Sequence, residues 1–207
     1  MSQCIFPIMY FPPISFFKKI ENEEHVMLEK HEFFVKQTYR NRCVIYGANG
    51  SLNLTVPIIH EHKKILMKDV RINYDQRWQK IHWKSLQSAY RSSPYFEFYE
   101  SQFEPFYHSK TKYLIEFNEQ LLTLIFSIID YQKNLRFTDN YSTEITSDVD
   151  YRNYFDPKKE DNFFTFEAYH QVFETKHGFI PDLSIVDLIF NQGPNAKQYI
   201  QNNLQNR

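Results

Sequence analysis

One stretch commits this chain to β-structure. In RCVIYGANGSLNLTVPII (residues 42–59), two strand-like runs flank GANG, which carries the turn chemistry of a hairpin. Pro57 has no N–H to give a ladder, so its strand ends there or lies at an edge. Other extended runs surround the hairpin. CIFPIMY reads as a first strand, and HVMLE and HEFFVK as short ones. LMKDVRINY alternates apolar and charged positions, and LRF is a late strand candidate.

Helical spacing enters elsewhere. Pro13 can open a helix through SFFKKI. From Arg77 the apolar positions fall on a helical period, with Trp78, Ile81, His82, Ser85, Leu86 and Ala89, until SSPYF stops it. FEFYESQFEPFY and KTKYLIEFNEQLLTLIFSIIDYQ are two further helix candidates, and EAYHQVF reads as a strand or a short helix. In DLSIVDLIFNQGP, Ser184 is placed as N-cap and Asp187 as a capping-box acid, with Gly193-Pro194 as the stop and a last short helix beginning near Pro194. Strands followed by helices, with a late strand, predict an α/β or α+β chain. The expected architecture is a mixed sheet from the N-terminal half, packed by helices from the middle and C-terminal parts. Residues 138–162 are polar and aperiodic but carry Tyr141, Tyr151, Tyr154 and Phe155. They read as a flexible loop or a lid closing on a ligand.

The near balance of 24 basic and 25 acidic residues leaves no global field toward nucleic acid or anionic membrane. Nucleic acid is therefore not an expected partner, and no run approaches the roughly 18 apolar residues of a membrane span. The apolar start lacks a basic n-region, so no signal peptide is expected. Two cysteines, Cys4 and Cys43, are too few for a disulfide scaffold and point to a reducing compartment. His60-Glu61-His62 lacks the spacing that puts two imidazoles on one helical face, so no metal site is expected.

Against that neutral background stands the knot KQTYRNR, with Lys36, Arg40, Asn41 and Arg42 in seven residues and no acid between Glu32 and Glu61. Arginine offers a planar fork of donors for phosphate or carboxylate. Arg40 and Arg42 would share one face of a strand while Asn41 points the other way. The competing reading is a turn whose arginines pair with distant acids. The second cluster is WQKIHW. Trp78 and His82 lie one helical turn apart, which makes His82 either a general acid/base or a hydrogen-bonded helix residue.

Taken in order, YFPPISFFKKI, KQTYRNRCVI, LNLTVPI, KDVRINYDQRWQKIHWKSLQSAYRSSPYF and GFIPDLSIVDLIFNQGP resemble the WbqC-like family of bacterial proteins. The likeness spans nearly the whole chain, apart from residues 138–162 and the last few. The resemblance implies a single domain over residues 1–207. It also implies a cytoplasmic protein of surface-polysaccharide (O-antigen) precursor metabolism without fixing the reaction, for which the first reading is acyl or aminoacyl transfer to a nucleotide-linked amino sugar. Many relatives carry His-Gln-Pro where this chain has Phe6, Pro7 and Ile8, so a histidine they share is missing here.

In an enzyme of that kind, Lys36, Arg40, Asn41 and Arg42 would clamp the phosphate or carboxylate of a nucleotide-sugar or other phosphorylated small molecule. Trp78, Tyr90 and Tyr95 would supply flat walls, Lys80 a further substrate contact, and His82 the proton transfer. A transferase or an ATP-dependent amide-forming ligase fits these roles, with no cofactor identified. The alternative is a non-catalytic module that binds a glycan precursor or a partner enzyme.

Overall fold

The computed structural model describes residues 3–60, 64–133, 135–142, 149–158 and 164–202. The fold begins with β1 (Cys4–Pro7), α1 (Ile14–Glu21) and β2 (Val26–Glu29). The two strands pair in parallel from Cys4↔Val26 to Pro7↔Glu29. α1 presses Phe16, Phe17 and Ile20 into the core, and the Phe6 and Phe16 rings meet edge to face at 5.6 Å. Pro13 opens α1 but has no side-chain oxygen to cap it. That role falls to Asp182, whose carboxylate accepts the Ser15 N–H at 2.7 Å and the Ser15 hydroxyl at 2.8 Å.

The hairpin forms as its sequence requires, with β3 (Arg42–Gly47) and β4 (Gly50–Thr55) paired antiparallel through Gly47↔Gly50. Gly50 supplies the positive φ of 96° that the turn needs. The hairpin is a separate two-stranded sheet and does not join the parallel one. Its β3 edge is taken by the Ser184 N–H, which donates to the Val44 carbonyl at 2.8 Å.

α2 (Trp78–Tyr90) lies against β3. Its buried face is Trp78, His82, Trp83, Leu86, Ala89 and Tyr90, while Ile81 turns outward at 58% exposure. Pro105 divides the next aromatic stretch into α3 (Phe96–Phe103) and α4 (Pro105–His108), since it cannot donate to a continuing helix. α5 (Leu114–Ile128) buries Leu114, Phe117, Asn118, Leu121, Leu122 and Ile125, a stripe at three- and four-residue spacing.

β5 (Arg136–Phe137) and β6 (Val149–Asp150) complete the parallel sheet in the order β5-β2-β1-β6. Half of that sheet thus comes from the C-terminal part of the chain. α6 (Glu174–His177), α7 (Ile185–Gln192) and α8 (Ala196–Asn202) close the fold, the last two joined by a 3-10 turn at Gly193–Asn195. The α/β class read from the sequence is the class observed.

Three expected elements take other forms. HEFFVK is extended only at one bridge, Phe33↔Leu66. LMKDVRINY folds into a 3-10 turn, Met67–Asp69, followed by the single bridges Arg71↔Tyr113 and Ile58↔Ile72. EAYHQVF is irregular, and its Tyr169 and Gln171 are buried by side-chain bonds in place of a backbone ladder.

Segment 138–162 is described at 138–142 and 149–158, and its remaining residues lie outside the described ones. Val149 and Asp150 pair with Cys4 and Ile5. The Tyr151 ring lies 4.8 Å from that of Phe6, and the Phe155 ring 5.7 Å from that of Phe16. Tyr154 packs on Phe155, while Tyr141 is 47% exposed beneath the Arg152 guanidinium.

Candidate functional site

The basic knot does not act as a unit. Arg40 and Asn41 precede β3, so the alternation expected of a strand begins only at Arg42. Arg40 is buried. Its Nε and Nη2 donate to the two Glu32 oxygens at 2.7 and 2.6 Å, and Nη2 also donates to the Arg152 carbonyl at 2.9 Å. This is a bidentate structural pair of the kind charge-assisted bonds favour. Burial raises the Glu32 pKa, and the Arg40 bonds oppose that rise.

The pair belongs to a larger network at the C-terminal ends of the parallel strands. Glu29, the last residue of β2, accepts from the Thr138 hydroxyl at 2.8 Å and from Arg152 Nη1 at 3.3 Å. Arg152 also grips Asp150, the last residue of β6, at 2.7 Å, and this bond holds the Asp150 carboxyl below its ordinary range. In open α/β sheets that edge is the usual ligand position. Here it is filled by internal ion pairs.

Asn41 and Arg42 face a different space. Asn41 Nδ2 donates to the Val56 carbonyl at 2.9 Å, and the Asn41 carbonyl accepts the Val56 N–H at 2.8 Å. These bonds fix the mouth of the hairpin. Beside it opens a cleft of about 410 Å³, within the range of small-molecule sites. Lys36, Asn41 and Arg42 line it on one side, with Thr55 and His60 from the β4 end. Asn73, Asp75 and Gln76 line the other side, and Phe34, Pro57 and Ile58 give it an apolar floor. Arg42 is half-buried, and its Nε is buried without a hydrogen-bond partner among the described residues. Amides, a hydroxyl, an imidazole, two cations and the Asp75 carboxylate thus share the cleft with an apolar floor.

The WQKIHW cluster lies behind this cleft. His82 is buried at 4% exposure, and burial lowers its pKa to about 4. A ring N–H donates to the Thr55 carbonyl, leaving Nδ1 to accept from the Tyr10 hydroxyl at 3.0 Å. The Tyr10 and Tyr107 hydroxyls are 3.0 Å apart. The Trp78 ring packs edge-on against His82 at 5.0 Å. His82 is not among the residues lining the cleft, and among the described residues its bond to the Thr55 carbonyl is what links it to that lining. Trp78 is likewise core, and Cys43 is a buried thiol whose pKa burial pushes up.

The remaining expected site residues are scattered. Lys80 is exposed on a neighbouring recess. Tyr90 is fully buried, its hydroxyl accepting the Tyr46 N–H at 3.2 Å. Tyr95 lies under Gly193, where an added Cβ would come within 2.5 Å of its ring. Of the eight expected binding residues, only Lys36, Asn41 and Arg42 share the cleft.

Sequence reasoning missed His60 as a cleft residue along with Asn73, Asp75 and Gln76. The bridge Ile58↔Ile72, with the Ile59 N–H donating to the Arg71 carbonyl and the Asn73 N–H to the Pro57 carbonyl, sets 71–73 beside 57–59 and assembles this wall. It also placed Asp187 as a cap. Ser184 does stand at the N-cap position, but its hydroxyl donates to the Phe11 carbonyl. The buried Asp187 carboxylate accepts from the Tyr169 hydroxyl at 2.6 Å and from Gln171 Nε2 at 2.9 Å. Among the described residues no group of three or more metal-ligating side chains gathers, and no helix is long and apolar enough to cross a membrane.

The protein is of α/β class, with internal ion pairs at the C-terminal ends of its parallel strands and a cleft of small-molecule size beside its separate hairpin. The chain belongs to the WbqC-like protein family, whose sequence profile matches residues 8–199. It is similar to a Mycobacterium tuberculosis (strain ATCC 25618 / H37Rv) protein named "Uncharacterized protein Rv1507c", with 25% identity over 93% of this chain and 94% of that one. No solved structure matches it.

Proposed function

We propose that the hairpin cleft binds an anionic sugar derivative, of the nucleotide-linked kind used as a surface-polysaccharide precursor, in a cytoplasmic protein. Arg42 carries this reading. A half-buried guanidinium with a buried N–H that finds no partner among the described residues has given up water without an internal replacement. An anionic ligand restores that interaction. Lys36 adds a second cation on the same wall, while Asn41, Asn73, Gln76 and Thr55 offer donors and acceptors to sugar hydroxyls. Group transfer to an amino sugar would draw on His60 and Asp75, which bring acid–base side chains to the cleft. The non-catalytic reading is favoured by one observation: His82, the histidine expected to move protons, is enclosed in the core.

The test is calorimetric titration with a panel of nucleoside-diphosphate sugars. A charge-assisted hydrogen bond is worth about 1.5–3 kcal/mol, so Arg42→Ala should weaken binding by roughly 10- to 150-fold while the thermal midpoint stays near wild type. Equal binding by the variant, or no binding of any panel member by the wild type, overturns the reading. Incubation of the bound sugar with activated acyl donors then separates transferase from binding module.

A further inference from the structure

Where α2 begins, a second recess of about 270 Å³ opens, with Gln76 on its wall and on the wall of the cleft. Arg77, Lys80 and Lys110 line it, and no carboxylate does. Among the described residues none of these three cations forms an ion pair.

The frame around them is well bonded. The Tyr74 hydroxyl donates to the Thr111 carbonyl at 2.9 Å and accepts the Thr111 N–H at 3.0 Å. Gln79 Nε2 donates to the Phe106 carbonyl at 3.1 Å and to that of Ser109. These bonds hold the 106–111 turn against the first turn of α2, and so bring Lys110 beside Arg77 and Lys80. Lys110 Nζ stands 5.2 Å from the centre of the Tyr74 ring, which gives it one favourable contact but no neutralising charge. Tyr107 forms the back wall, its hydroxyl drawn inward to Tyr10.

Arg77, Lys80 and Lys110 are exposed cations that share one recess, and among the described residues no carboxylate lines it to offset them. Such a set is organised for an external anion, and the planar Arg77 fork with two ammonium groups matches the oxygens of phosphate. The recess is smaller than the roughly 300–1,000 Å³ of a whole small-molecule site. It therefore suits a fragment.

We infer that this recess is a phosphate-binding subsite that takes the phosphate or diphosphate portion of a ligand. The phosphate site stands on its own residues. That its ligand is the one whose sugar occupies the cleft rests on the reading of the cleft given above, with Gln76 as the shared wall.

The experiment uses inorganic pyrophosphate as the probe, followed by calorimetry at low salt and by amide chemical shifts of the full chain. Wild type should bind it, with shifts concentrated at residues 76–80 and 110. Lys80→Ser/Lys110→Ser should weaken binding at least tenfold, and Arg77→Ser alone should do so by a similar factor. Arg91→Ser, at an exposed cation that lines neither the recess nor the cleft, should leave pyrophosphate binding unchanged. No binding by the wild type overturns the subsite. So does a loss caused by Arg42→Ala with the lysine variant unaffected, which would place the anion in the cleft and leave the cleft reading intact. Conversely, pyrophosphate bound as expected by a protein that binds no nucleotide-sugar would keep the subsite and remove the sugar.

Discussion

The enclosure of His82 has a measurable thermodynamic consequence. In the unfolded chain a histidine titrates near its ordinary value of about 6.5. In the folded protein, burial holds His82 down to about 4. As pH falls between those values the unfolded state takes up a proton that the folded state refuses, so stability falls with falling pH. The gap of about 2.5 pH units, at about 1.4 kcal/mol per unit, is worth roughly 3 kcal/mol. That stability is fully present above pH 6.5 and is lost as pH drops through the folded value. His82→Gln removes the titration while retaining one group to donate to the Thr55 carbonyl and one to accept from Tyr10. The assay is urea unfolding of both proteins at half-unit steps from pH 7.5 to 4. At pH 7 the variant should be less stable, by about 1–2 kcal/mol for altered bonds and packing. By pH 4 that difference should have shifted by roughly 3 kcal/mol in the variant's favour, so the two curves approach and cross. Parallel curves would refute the reasoning, because they would mean that His82 takes its proton equally in both states.

Two further outcomes follow from the buried charges. Arg40→Met should destabilise the fold by about 3–5 kcal/mol, because Glu32 is left buried without its bidentate partner; a urea-derived loss under about 1 kcal/mol would contradict the pair's structural role. Burial raises the Asp187 carboxyl above its ordinary 3.8, so its contribution to stability is present below that value and is lost as pH rises through the folded pKa. Asp187→Asn should therefore gain on the wild type between pH 4 and 8 in the same assay, and a difference that stays constant with pH would count against a raised pKa.

How far the sequence disclosed this arrangement depended on the range of each interaction. The hairpin was legible because GANG and its flanking runs are adjacent, and α2 because its buried face recurs within 13 residues. β5 and β6 are two residues each and exist only by docking on β2 and β1, so no local pattern announces their pairing. The knot was visible as composition, but its division was not. The interval free of acids measured distance along the chain, whereas Arg40 reaches back over eight residues to Glu32 and forward over 112 to the Arg152 carbonyl. Likewise His82 beside Trp78 looks the same in sequence whether the pair lines a pocket or fills a core. Only the Tyr10 and Thr55 contacts decide between these.

The contrast between Arg40 and Arg42 bears on how such a cleft can change over evolutionary time. Two positions apart, one is bolted to Glu32 and the Arg152 carbonyl and the other lines the cleft. Inserting or deleting a residue between them would exchange a structural anchor for a cleft-lining position. Loops are ordinarily where proteins alter their length to acquire new specificities. This one lacks that freedom, because its register is pinned at Arg40, at Asn41 against Val56, and at the first rung of the hairpin. Change in the cleft is then left to exchange of side chains on a fixed frame, at lining positions such as Lys36, Gln37, His60 and Asp75. Directed libraries built on this scaffold should vary residue identity there and hold the length of the 36–42 loop constant.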